Sequence, residues 1–141
     1  MEVGYRHIDT AKLYQNEEII GEILGECFME GLKREDIFIT SKLWISEMAD
    51  PEKGLKESLT KLKLEYLDLY LIHYPLTPFV KGEFARIPLF KTWKVMEELV
   101  KGGLVKSIGI SNFNVQLTLD LLSYAEIKPV VNQIELHPYF S

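Results

Sequence analysis

The sequence predicts an α/β protein in which parallel strands alternate with helices. Short β-rich runs and helical patterns take turns along the chain, about five of the first and four of the second, with no internal repeat or interdomain linker. Residues 66–72 form a nearly continuous apolar run, as a strand covered on both faces requires. Polar and charged residues recur at the C-terminal ends of such runs, where parallel sheets and barrels meet a ligand. Joining parallel strands in this way calls for right-handed helical crossovers.

Residues 5–8 are the first strand. Asn16, followed by Glu17 and Glu18, offers an N-cap and two carboxylates for the first turn of a helix. Ile20, Ile23, Leu24, Cys27 and Phe28 then recur at helical spacing, burying one face, until Gly31 closes the helix as a residue that tolerates positive φ. Residues 36–41 are β-rich and give the second strand. Asp50 and Pro51 read as an N-cap and a proline at the first helical position, opening a helix that carries Leu55, Leu59 and Leu62. After the strand at 66–72, residues 74–89 hold Pro75, Pro78, Gly82 and Pro88 and read as a long loop, a length that usually borders a functional pocket. Trp93, Met96, Leu99 and Val100 mark a third helix ending at Gly102 and Gly103. Residues 105–110 are strand-like, Asn114 caps a helix bearing Leu117 and Leu121, and 130–136 is the last strand.

Composition narrows the class. The 141 residues are 47% hydrophobic and 26% charged, the balance of a globular chain and of a single domain over residues 1–141. A net charge of −5 supplies no basic field for phosphate backbones, so no nucleic-acid partner is expected. No run reaches the roughly 18 apolar residues that span a bilayer, and no apolar signal core is present, so no membrane is expected and the cytoplasm is the expected location. A single cysteine, Cys27, rules out an intrachain disulfide; on its apolar stripe it reads as a buried thiol. His7 and His137 have no third ligand at suitable spacing, so both are structural and no metal is expected.

Asp9, Tyr14, Lys42 and His73 lie in three separate stretches, and three of the four residues close an apolar run. Each alone has an ordinary reading. Asp9-Thr10 suits a turn or a cap, Lys42 a solvated surface, Tyr14 a packed ring with its hydroxyl outside, His73 a strand end, and Ser111-Asn112 a turn.

Five motifs decide between the two readings. GYRHIDTAKLYQNEEIIGEIL, ITSKLW, LDLYLIHYP, GLVKSIGISNFN and NQIELHPY, in this order and at this spacing, resemble the aldo-keto reductases over essentially the whole chain. The resemblance implies a (β/α)8 TIM barrel that binds NADPH/NADP+ without a Rossmann domain and reduces aldehydes or ketones. The lack of a G-x-G-x-x-G or P-loop motif agrees with that fold. It implies Tyr14 as proton donor, with Lys42 beside it to favour the phenolate, Asp9 to hold Lys42, and His73 to orient the substrate oxygen. Hydride attack leaves negative charge on that oxygen, which is why a proton donor and a fixed positive charge belong together there. By the same resemblance Ser111, Asn112 and Gln133, with Asp9, hold the nicotinamide end of the cofactor, whose carboxamide needs donors and acceptors together, and Trp44 lines the substrate pocket with His73.

A (β/α)8 barrel typically needs about 250 residues, so the expectation is a partial barrel of about five strands, incomplete at both ends. Residues 1–4 read as the end of a first barrel helix, and the chain stops after the sixth barrel strand. The pyrophosphate-binding loop of the family falls outside it. Open strand edges then call for a protein partner or self-association to cover them. Two functions follow: a reductase whose complete form is active on a small carbonyl substrate, or a non-catalytic component of a larger assembly.

Overall fold

The computed structural model describes residues 3–77, 79–80, 83–85 and 87–140. The chain runs through β1 (His7–Asp9), α1 (Glu17–Met29), β2 (Phe38–Leu43), α2 (Pro51–Leu62), β3 (Leu67–Ile72), a hairpin of β4 (Phe79–Val80) and β5 (Glu83–Phe84), α3 (Leu89–Lys101), β6 (Val105–Ser111), α4 (Val115–Tyr124) and β7 (Asn132–Gln133). β1, β2, β3, β6 and β7 form one sheet in that order, each pair parallel. One helix occupies each of the four crossovers, so the predicted alternation is the architecture: five strands of a partial (β/α)8 barrel.

The sheet is strongly curled. Laid flat, its first and fifth strands would stand about 19 Å apart, four steps of roughly 4.8 Å. Yet Gln133 at the end of β7 donates a 2.9 Å hydrogen bond from Nε2 to Asp9 Oδ2 at the end of β1. Gly109 helps the curl. A Cβ there would lie 2.7 Å from Leu71 Cδ2 and 2.9 Å from Val131 Cγ1, so these side chains close over β6 because that position has none. The opposite face of the sheet packs under the helices in one apolar core, with Leu24 from α1, Leu55, Leu59 and Leu62 from α2, Trp93, Met96 and Leu99 from α3, and Leu121 from α4.

Local chemistry sets most boundaries as expected. Asp50 Oδ1 accepts from Lys53 N at 3.1 Å and Asn114 Oδ1 from Leu117 N at 2.9 Å, so two of the three predicted caps operate, whereas Asn16 makes no side-chain cap bond because its oxygen is taken by Thr10 Oγ1. Gly31 has φ +103° and closes α1 with its N–H on Phe28 O. Other details differ. The first strand starts at His7 and the second runs two residues past its predicted end, because pairing fixes them: His7 lies beside Phe38 and Leu43 beside Ile72. The last strand shrinks to Asn132–Gln133, since β6 ends at Ser111, opposite Gln133, and offers no ladder beyond it. The long loop contains the β4–β5 hairpin; its Pro78 and Gly82, like Met1 and Glu2, lie outside the described residues.

The predicted apolar stripe of α1 is also corrected. Ile23 is 52% exposed, and Cys27 is only half-buried rather than a core thiol. The residues that α1 buries are Glu17, Gly21 and Leu24. Gly21 lies so close to the end of α2 that an added Cβ would meet Lys61 O at 2.2 Å. A count of apolar side chains overlooks a glycine contact of this kind.

Candidate active site

Every strand of the sheet delivers a polar residue at its C-terminal end. Asp9 ends β1, Lys42 is next to last in β2, His73 follows β3, Ser111 ends β6 and Gln133 ends β7. Tyr14 comes from a single 3-10 turn, Lys12–Tyr14, between β1 and α1. Residues from six segments, spread over 124 positions, thus meet at one mouth.

Lys42 is the centre of the group and is 1% exposed. Its Nζ is hydrogen-bonded to Asp9 Oδ1, donates to Thr10 O at 3.0 Å and lies 3.3 Å from Tyr14 OH. A buried ammonium needs compensation, and the Asp9 carboxylate and the Thr10 carbonyl supply it. The remaining contact faces the phenol. The ammonium thus faces the phenol oxygen directly.

His73 is buried, and burial first, then the Lys42 charge, pull its pKa below the ordinary histidine value against an opposing pull from Asp9. The ring is therefore neutral at pH 7. Its Nδ1 is buried without a partner, and leaving a bare acceptor there costs less than burying an unpaired N–H. A proton on Nε2 would leave Nδ1 as that acceptor. The ring is held by aromatic neighbours: Tyr74 stacks on it at 5.2 Å, while Trp44 at 5.2 Å and Tyr14 at 5.7 Å meet it edge to face. Trp44 therefore stands at the same mouth as Tyr14.

Ser111, Asn112 and Gln133 form a line of hydroxyl and amide groups beside Asp9. Ser111 Oγ donates to Gln133 O at 2.9 Å, and Asn112 Nδ2 donates to His73 O at 2.9 Å and Ser111 Oγ at 3.0 Å. Asn112 adopts φ +62°, a conformation asparagine tolerates, and its N–H bonds Gln133 O. These bonds use neither Asn112 Oδ1 nor Gln133 Oε1. A line with donors and free acceptors suits a carboxamide, whose C=O and NH2 need both.

All eight predicted residues therefore converge at the strand ends. Sequence reasoning missed Thr10, whose carbonyl binds Lys42, and Tyr74, the stacking partner of His73. The only signal for either was its place next to a candidate. His7 and His137 sit elsewhere, His7 on Thr40 Oγ1 at 2.9 Å and His137 on Glu135.

Comparison with known proteins identifies the family. The family model described as the aldo/keto reductase family matches residues 1–141. The chain belongs to the aldo/keto reductases. Aldose reductase B of Dictyostelium discoideum is 50% identical over 98% of this chain and 50% of its own length. An NADP-dependent D-sorbitol-6-phosphate dehydrogenase of Malus domestica is 46% identical over 99% of the chain and 50% of its own. Among solved structures, aldose reductase from Giardia lamblia superposes with a TM-score of 0.89 at 46% identity, over 96% of this chain and 50% of that one. An aldo-keto reductase of Bombyx mori in complex with NADP gives 0.90 at 44% identity, over 96% and 45%. This aldo/keto reductase chain spans about half the length of the curated relatives it matches. Among its described residues no helix is long and apolar enough to cross a membrane.

Proposed function

We propose that the chain, within its complete protein, is the catalytic part of an NADPH-dependent carbonyl reductase that converts aldehydes or ketones to alcohols. The observation that carries this reading is the buried Lys42 ammonium, held by Asp9 and Thr10 and lying 3.3 Å from Tyr14 OH. The nicotinamide, when bound, supplies the hydride. Tyr14 then gives its phenolic proton to the oxygen that gains negative charge, and Lys42 stabilises the phenolate left behind. Asp9 keeps Lys42 aimed at Tyr14. His73, neutral with its proton on Nε2, orients the carbonyl oxygen by a hydrogen bond that needs no proton transfer. Ser111, Asn112, Gln133 and Asp9 would hold the carboxamide of NADPH, and the apolar surface of Trp44 would line the pocket for the carbonyl substrate. A single cysteine and no disulfide suit the cytoplasm, a reducing compartment.

The test is carbonyl-dependent oxidation of NADPH by the complete protein, compared with Tyr14→Phe. The substitution removes the proton donor and leaves the ring, so turnover should fall by about 10²–10⁴-fold with NADPH binding retained. Equal turnover in the variant would overturn the assignment.

One observation favours a second reading for the 141 residues taken alone. Tyr5 before β1 and Ile134, Leu136 and Tyr139 after β7 are exposed apolar groups beside the two sheet edges. A chain that covers them with a protein partner or a second copy would serve as a structural component. Measurable NADPH turnover by the isolated chain would set that reading aside.

A further inference from the structure

We infer that Asn16 is a positioning residue: with Thr10 it forms a clasp that sets Tyr14 against Lys42. The inference rests on the reductase reading for its kinetic consequence, but its structural basis is independent of it. Thr10 Oγ1 donates to Asn16 Oδ1 at 2.6 Å. The two residues bracket residues 11–15, the segment that carries Tyr14, and the bond ties its ends together.

Each end is separately anchored. Thr10 is fully buried, its N–H bonds Thr40 O at 2.9 Å and its carbonyl accepts from Lys42 Nζ at 3.0 Å. Asn16 is fixed to α1, where its carbonyl accepts from Ile20 N at 3.0 Å. Between them Ala11 is fully buried, Tyr14 N bonds Ala11 O at 2.9 Å, and Gln15 turns the chain at φ +56°. The Thr10 hydroxyl therefore links the residue that holds Lys42 to the residue that follows the Tyr14 turn.

The role of Asn16 as an N-cap argues the same way. An asparagine before a helix ordinarily turns its side-chain oxygen onto an N–H of the first turn, with extended backbone. Here Asn16 makes no side-chain cap bond and has φ −119° and ψ 3°. Its oxygen serves the Tyr14 segment instead of the helix. A capping residue whose cap is unused, while a buried hydroxyl points its proton at it, is placed to hold the segment.

The test is a double-mutant cycle in the complete protein, with Asn16→Ala, Thr10→Val and the pair. Misplacing a reacting group by about 1 Å costs as much as about 10²-fold in rate. Asn16→Ala should lower kcat toward that extent with KM for the aldehyde little changed, and Thr10→Val should match it. The double variant should be no worse than either, because one bond joins the two. Asn16→Asp keeps the acceptor and should restore most of kcat. Amide exchange at Tyr14 and Gln15 should quicken on the order of tenfold in both single variants while β2 and β3 keep their protection. If Asn16→Ala does not fold, Thr10→Val reads the same bond with Asn16 in place. If the wild type reduces no carbonyl, the reductase reading fails, and amide exchange alone decides the clasp. Unchanged exchange at Tyr14 and Gln15, additive losses, or no rescue by Asn16→Asp would overturn it.

Discussion

Lys42 shows how one residue carries both fold and chemistry. Its side chain is fully buried while its ammonium meets Asp9, Thr10 O and Tyr14 OH. Lys42→Met keeps the bulk and removes the charge, so carbonyl reduction should fall by at least about 10²-fold; steady-state kinetics beside an NADPH titration would check that binding persists. His73 makes a second prediction, on pH. Its pKa in the folded chain is lowered, by burial first and then by Lys42, below an unfolded value of about 6.5. Near that pH the unfolded chain binds more protons, so the stability linked to neutral His73 is present above about pH 6.5. It is lost as pH falls through the lower folded value. Urea unfolding from pH 7.5 down to pH 5, on the order of one unit to either side of the free histidine value, should show this decline. It should be flatter in His73→Gln.

At the scale of elements, two glycines of one helix separate propensity from packing. Gly25 has nothing within 4 Å of an added Cβ, whereas at Gly21 that atom would sit 2.2 Å from Lys61 O. Gly25→Ala should therefore stabilise by about 0.5–1 kcal/mol through helix propensity. Gly21→Ala should destabilise by about 1–3 kcal/mol by forcing α1 away from α2. Thermal melts of the two variants decide it. A further comparison lies under the helices, where the Tyr70 hydroxyl is buried without a partner and burial pushes its pKa up. Tyr70→Phe removes an unsatisfied polar group and should raise the melting temperature. These elements were only partly legible in the sequence. The caps at Asp50 and Asn114 and the buried strand β3 could be read from local chemistry. The bounds of β1, β2 and β7 could not, because neighbouring strands fix them, and neither could the exposure of Ile23, because α2 decides which side of α1 is covered.

At the scale of the molecule, five strands curl far enough for Gln133 to reach Asp9 across the mouth, yet β1 and β7 each pair on one side only. Unpaired strand edges favour association. The purified 141-residue chain should therefore sediment as a species larger than a monomer, increasingly so at higher concentration, and a strictly monomeric chain would contradict the proposal that a second copy covers the edges. Quenching of Trp44 fluorescence by NADPH, followed in parallel, would report whether the 141 residues alone bind the cofactor.

The sequence by itself determined the alternation of strand and helix, the family and the residue types at the strand ends, because periodicity, caps and motifs are local properties of the chain. Only the tertiary structure decided that Asp9 meets Gln133, that the Lys42 ammonium lies against Tyr14, and that Asn16 serves Thr10 rather than α1. Those contacts join residues from 6 to 124 positions apart. They exist because the sheet curls and the helices pack, which no stretch of the chain specifies alone.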